Sequence, residues 1–147
     1  MLVVDGHGLL LGFHLDSATT AEVKLAEQTL DTIRVARRRG RPTCRPQKLV
    51  ADRGYDSSAF RAALRHRGIR MCIPPKRRPA KWRAKRGRPV VARTEDYRRR
   101  FTVERSFAWL GNFRRLLIRW ERLFAVYRSW FTVAVMVLSL RRCSALP

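Results

Sequence analysis

The chain has 147 residues, 46% of them hydrophobic, which allows one domain with a real core and excludes a fully disordered segment. Thirty-three Lys and Arg face eleven Asp and Glu, a formal net charge of +22, and self-repulsion on that scale calls for a polyanionic partner, nucleic acid first. Cys44, Cys72 and Cys143 have neither disulfide-framework nor zinc-ligand spacing, and the opening MLVVDGHGLL is no signal peptide, so a reducing cytoplasm is the expected setting.

Leu2 to Val4 and Leu9 to Phe13 are short apolar runs, and Asp5-Gly6-His7-Gly8 between them is turn chemistry, which together predict a β-hairpin. The sequence thus opens inside a strand, an opening that implies an N-terminal portion upstream. Asp16 or Ser17 is the expected cap of a helix over Glu22 to Arg38, with Val23, Leu25, Ala26, Leu30, Ile33 and Val35 at helical spacing and Gly40 beyond its basic last turn. After a basic loop, Lys48 to Ala51 reads as a strand ending at Asp52-Arg53-Gly54-Tyr55. Ser57 or Ser58 caps a helix through about Arg67, closed by Gly68, and Ile69 to Ile73 is another strand. The order β-β-α-β-α-β predicts an α/β domain with a mixed sheet and flanking helices.

Residues 74–93 hold four prolines and nine Lys or Arg, a basic Pro-rich loop with Trp82 alone inside it. Lys76, Arg77, Arg78, Lys81, Arg83, Lys85 and Arg86 form a candidate DNA-tracking surface; a solvated insertion is the plainer alternative. Thr94 is the expected cap of a long helix running to about Arg122, with Glu95 and Asp96 in its first turn. A last helix covers Phe124 to Arg142. Its most apolar part, Trp130 to Leu140, is too short to cross a bilayer and reads as buried. Trp109, Phe113, Trp120, Phe124, Tyr127, Trp130 and Phe131 sit at helical spacing among apolar neighbours and read as packing. His7, His14 and His66 are scattered and form no ligand set.

Two carboxylates stand out. Asp52 follows a predicted strand directly, at the mouth of an α/β sheet where ligands gather, with Gly54 permitting a tight turn; the alternative is a turn cap. Glu104 lies among apolar neighbours on the predicted helix and is expected to be partly buried. Tyr97, Arg100, Glu104 and Gly111 fall on one helical face, putting a phenol, a guanidinium and a carboxylate on one stripe; the alternative is an ordinary i,i+4 ion pair. A strand-end Asp and a helix-borne Glu can converge on divalent metal, but such sites usually want three carboxylates.

Asp52-Arg53-Gly54-Tyr55-Asp56-Ser57 resembles the segment around the second catalytic aspartate of bacterial insertion-sequence transposases of the DDE type. The segment from Tyr97 to Leu110, YRRRFTVERSFAWL, resembles their signature of Tyr, two residues, Arg, three residues, Glu, six residues, Lys or Arg. The opening LVVDGHGLLLGFHLDSA is similar to the family's second and third strands. The resemblance implies a ribonuclease H-like fold, incomplete at the N-terminus, over 1–147, and Mg2+ (or Mn2+) held by Asp52 and Glu104. It implies DNA contact near the cleaved phosphate by Tyr97 and Arg100, with Arg53 flanking. Two positions depart from the pattern. The family's first aspartate lies on a strand before the one that opens this chain, and Asp5, at the hairpin turn, does not replace it. The signature's final basic position falls on Gly111.

These features lead to DNA transposition by metal-dependent strand cleavage and strand transfer on double-stranded DNA, at element ends and target. The chain alone is expected to be inactive without the first aspartate, and an upstream transposase fragment is a candidate partner. The resemblance also implies a homo-oligomer when active, a bacterial cytoplasmic and nucleoid-associated location, and no membrane partner. The alternatives are a non-catalytic DNA-binding fragment and a basic nucleic-acid scaffold protein. Arg outnumbers Lys, which favours forked phosphate contacts, although a GC-rich genome gives the same bias.

Overall fold

Strands β1 (Leu2–Val4) and β2 (Leu10–Phe13) form the expected hairpin in the computed structural model, which describes residues 1–17, 19–76 and 94–144. They pair antiparallel, Leu2 with Phe13 and Val3 with Gly12, and the register shifts between Val3 and Val4. Asp5 closes the turn: its Oδ1 accepts from the amides of His7 and Leu9, both at 2.9 Å. Gly8 takes φ +89°, a left-handed conformation that favours glycine.

Helix α1 covers Glu22–Asp31, shorter at its C-terminal end than its sequence pattern predicts. Neither Asp16 nor Ser17 caps it. Its N-cap is Ala21, without a side-chain bond, while Asp16 Oδ1 accepts from the Ser17 amide at 2.7 Å. Near this end Thr29 and Thr32 donate their hydroxyls to the Leu25 and Thr29 carbonyls, at 2.8 and 2.7 Å. The following residues turn back instead, and Val35 bridges to Thr43 across Gly40, whose φ is +85°.

Strand β3 (Lys48–Val50) leads through Asp52 into a 3-10 turn at Arg53–Tyr55, then helix α2 (Ser58–His66) and strand β4 (Arg70–Cys72). Ser57 caps α2 by accepting from the Phe60 amide at 3.2 Å, and Gly68, at φ +64°, ends the helix region, as its residues predict. Strands β3 and β4 pair in parallel, Leu49 opposite Met71. This β-α-β unit is bound by a buried ion pair: Arg61 Nε donates to Asp56 Oδ1 at 2.6 Å, and Arg61 Nη2 to the Ile73 carbonyl at 2.7 Å.

The α/β organisation expected from the sequence is present, but the single mixed sheet is not. The four strands among the described residues form two two-stranded sheets, one antiparallel and one parallel, with no described strand between them. They share one hydrophobic cluster in which Val3 of β1 packs with Ala26, Leu30 and Ile33 of the α1 region, Phe60 and Leu64 of α2, and Ile69 and Ile73 around β4. Burying one such side chain stabilises by roughly 1.5–3 kcal/mol.

The predicted long helix after Thr94 breaks into α3 (Thr94–Arg98), α4 (Phe101–Leu110) and α5 (Arg114–Leu117). The cap expected of the Thr94 side chain lies outside the described atoms. Helix α6 (Phe124–Ser144) is a single 21-residue element. Leu2, Leu110, Phe131, Ala134 and Leu138 make a second cluster, and the Phe13 and Phe131 rings sit 4.9 Å apart. The expectation that α6 is buried fails: only Phe131, Ala134 and Leu138 of it are, because it packs on one side alone. By length and composition α6 is apolar enough to cross a membrane, with a mean hydropathy of 1.2. The aromatic set divides likewise. Trp109, Phe113 and Phe131 pack, whereas Trp120, Phe124 and Trp130 are exposed.

Candidate active site

Asp52 stands at the end of β3, half-buried, in extended backbone at φ −76° and ψ 178°. Its Oδ1 accepts from the Gly54 amide at 2.8 Å and so opens the 3-10 turn. The turn-cap role weighed against catalysis is therefore real, yet it occupies one carboxylate oxygen and is compatible with a ligand role for the other. Arg53 is exposed beside it. Tyr55 turns inward and donates its hydroxyl to Glu22 Oε2 at 2.8 Å. Burial raises the phenol's pKa strongly, and the Glu22 hydrogen bond and the negative charges of Glu22 and Asp52 add to the shift. Glu22 is thereby a member of the Asp52 neighbourhood, which its place in a helical first turn did not reveal.

The second part of the site lies at the α3–α4 junction. Arg99 and Arg100 form a turn, yet Arg100 keeps helical backbone at φ −54° and ψ −37°, and the 97 to 104 stripe survives the break. Arg100 Nη1 lies 3.0 Å from Glu104 Oε1. The guanidinium also sits 5.6 Å from the Tyr97 ring centre and 4.9 Å from that of Phe101. Tyr97, Arg100 and Glu104 are thus one contiguous group. Glu104 is exposed, its side chain 51% accessible, which corrects the expectation of partial burial. Its apolar neighbours Phe101 and Phe107 are themselves exposed, while the buried positions of α4 are Thr102, Ser106 and Leu110. Gly111 is the C-cap of α4, so the last position of the signature ends the helix.

Asp52 and Glu104 are hard oxygen donors of the kind Mg2+ takes. They share no described partner, and among the described residues no three His, Cys, Asp or Glu side chains cluster closely enough to hold a metal ion. These residues alone do not fit a two-metal centre. A tie nearby joins the two parts of the fold: Lys48 Nζ, at the start of β3, reaches Asp96 Oδ1 of α3 at 2.8 Å.

Lys76 is exposed, and its amide donates to Asp56 Oδ2 at 2.6 Å, anchoring the entry to the basic segment. Arg77, Arg78, Lys81, Arg83, Lys85 and Arg86, with Trp82, lie outside the described residues.

Residues 1–140 match the family described as transposase DDE domain. The chain is 40% identical over 122 residues to a Burkholderia cepacia protein described as "Putative transposase for insertion sequence element IS402". The match takes in 82% of this chain and 52% of the relative, so the chain spans about half the length of that protein. No solved structure matches the chain.

Proposed function

The chain belongs to the family of transposase DDE domains, and we propose that it carries the downstream part of a DNA-transposition site whose remaining acidic ligand comes from outside this sequence. In this reading the domain is ribonuclease H-like. Asp52 and Glu104 supply two of the three carboxylates that would hold Mg2+ or Mn2+ beside duplex DNA. The observation that carries the reading is the contiguous Tyr97, Arg100 and Glu104 group, with a guanidinium 3.0 Å from the carboxylate. Arg100, stacked on two rings, holds the Glu104 carboxylate in place and offers charge to a DNA phosphate. Arg53 and Lys76 extend that positive surface beyond Asp52.

The sheets support an outside contribution. β1 pairs only with β2 and β3 only with β4 among the described residues, so each sheet keeps an open edge while both pack on the same cluster. Isolated two-stranded sheets are marginal in water, and an added apolar strand would stabilise both. An upstream transposase segment bearing a carboxylate at the end of such a strand would complete the ligand set. The complete assembly would cut DNA at element ends and join the 3′-hydroxyls to target by in-line attack at phosphorus, without a covalent enzyme intermediate. Pairing of two ends implies a homo-oligomer of that assembly, working on chromosomal DNA in a bacterial cytoplasm.

The test is duplex-DNA affinity of the chain with and without Mg2+, for the native protein, Asp52→Asn and Glu104→Gln. Without metal, each substitution removes a charge that repels phosphate, and each is expected to tighten binding severalfold. With Mg2+ that advantage shrinks for both. If either substitution leaves affinity unchanged in both conditions, its carboxylate does not face DNA and the two-part site is wrong.

A further inference from the structure

Between α1 and β3 the chain forms a basic hairpin that the Asp52 and Glu104 site does not use. Val35 and Thr43 exchange both backbone hydrogen bonds, at 2.9 and 2.8 Å, and so close a loop over residues 36–42. Arg37 Nε donates to Thr43 Oγ1 at 2.6 Å, which ties the loop across its base. Gly40, at φ +85°, turns the chain at the tip, where a Cβ would meet nothing within 4 Å. Arg45 Nη1 donates to the Arg67 carbonyl at 2.8 Å and holds the returning leg against the end of α2. The hairpin thus has an anchored base and an open tip.

Its charge is of one sign. From Thr32 to Ala51 there is no Asp, no Glu and no aromatic residue. Within that stretch Arg34, Arg37, Arg38, Arg39, Arg41 and Arg45 are all exposed, and none forms an ion pair among the described residues. Glu27 and Asp31, the preceding acids of the chain, are engaged by Arg67 at 3.8 and 2.7 Å. Guanidinium groups this close repel one another, and an arriving anion relieves that repulsion.

Chemistry narrows the occupant. A protein surface laid over the tip would bury charged groups for little apolar gain, and would have to bring a carboxylate for each. A membrane surface takes up large apolar side chains, and residues 36–42 offer only Ala36 and Pro42. Single-stranded nucleic acid is held by stacking on aromatic rings, which the hairpin lacks. A duplex needs none of these: its phosphates lie in the open, about 3.4 Å apart along each strand, and match the arginine fork. Position separates this contact from the cut. Asp52 precedes α2, whereas Arg45 is bound beyond its C-terminal end, and nine helical residues set those ends about 13 Å apart. That is about four phosphates along one strand.

We propose that the hairpin of residues 34–45 is a second duplex-DNA contact, gripping backbone phosphates other than the one that is cut. The proposal rests on the reading of this chain as a DNA-transposition domain and gives the hairpin no part in the chemical step.

The test follows binding of the full chain to a labelled duplex by fluorescence anisotropy over a salt series. One variant changes Arg34, Arg38, Arg39 and Arg41 to Gln, and a control changes Arg114, Arg122, Arg128 and Arg141 to Gln. All eight are exposed, so circular dichroism is expected to match the native chain. Both variants lose four charges, so diffuse attraction falls alike, and a site is what separates them. The hairpin variant is expected to bind about tenfold or more weaker than the control, with a log–log salt slope shallower by about two or more. Arg38→Gln with Arg39→Gln, at the tip alone, is expected to give about half that slope change, and it keeps the comparison open if the fourfold variant misfolds. Equal losses in the hairpin and control variants overturn the hairpin site and leave the transposition reading standing. A native chain that does not bind duplex DNA overturns both. A hairpin-dependent loss larger on single-stranded DNA of the same sequence than on the duplex overturns the duplex assignment.

Discussion

Arg61 and Asp56 carry opposite charges in the interior, with side chains 10% and 8% accessible, and each has further partners. Arg61 reaches the Ile73 carbonyl just beyond β4, and Asp56 accepts from the Lys76 amide at 2.6 Å. Together they fix the exit of β4 against the turn that follows Asp52, and so set where the basic segment leaves the fold. Removing one partner takes the opposite charge away from the buried group that stays. Arg61→Ala is expected to cost about 3–5 kcal/mol in urea unfolding, and an Arg61→Met, Asp56→Asn pair much less, because no charge is then stranded. Equal losses for the single and the double change would show that packing, not charge, is what Arg61 supplies. At this same scale Asp52 stood out as a candidate from its place after an apolar run, and Glu104 from its spacing to Arg100. The exposure of Glu104 was not, because burial depends on which helix face meets the sheet. Glu22 was equally hidden, since only folding brings α1 to the turn at Tyr55.

Among the secondary elements, the meeting of β2 with the end of α1 leaves no room for a side chain at Gly12. A Cβ built on Gly12 would collide with Thr32 Oγ1 and lie 3.3 Å from the Thr29 carbonyl oxygen. Gly6, in the hairpin turn, has nothing within 4 Å of such an atom. Gly12→Ala is therefore expected to destabilise by about 1–3 kcal/mol through forced separation of strand and helix, and Gly6→Ala to stay within about 0.5 kcal/mol. Thermal unfolding of the two variants measures the contrast, and a Gly12→Ala protein as stable as native would mean that Thr32 yields at no cost. The hairpin, α2 and its Ser57 cap followed from local chemistry, because turns and caps are satisfied within a few residues. The end of α1 did not. Its apolar period continues to Val35, but the bridge from Val35 to Thr43 and the burial of Ile33 are tertiary facts that outweigh helix periodicity.

For the whole molecule, a formal charge of +22 on 147 residues would make the proposed DNA binding chiefly a matter of counterion release. If about six or more phosphates are neutralised, duplex affinity should fall about 10³-fold or more between 50 and 200 mM salt, linearly on a log–log plot. Fluorescence anisotropy with a labelled duplex gives that slope, and affinity indifferent to salt would remove DNA as the charge's partner.

By itself the sequence determined the α/β class, the hairpin, the β-α-β unit and the basic character, because all are written in local spacing and net charge, and a resemblance in two segments pointed to the transposase family to which the chain belongs. Tertiary structure alone decided that the strands form two small sheets, that Glu104 faces solvent on Arg100, and that α6 turns a second apolar face outward. These outcomes depend on which surfaces meet. A sequence period says that a face is apolar; only packing decides whether another part of the chain covers it.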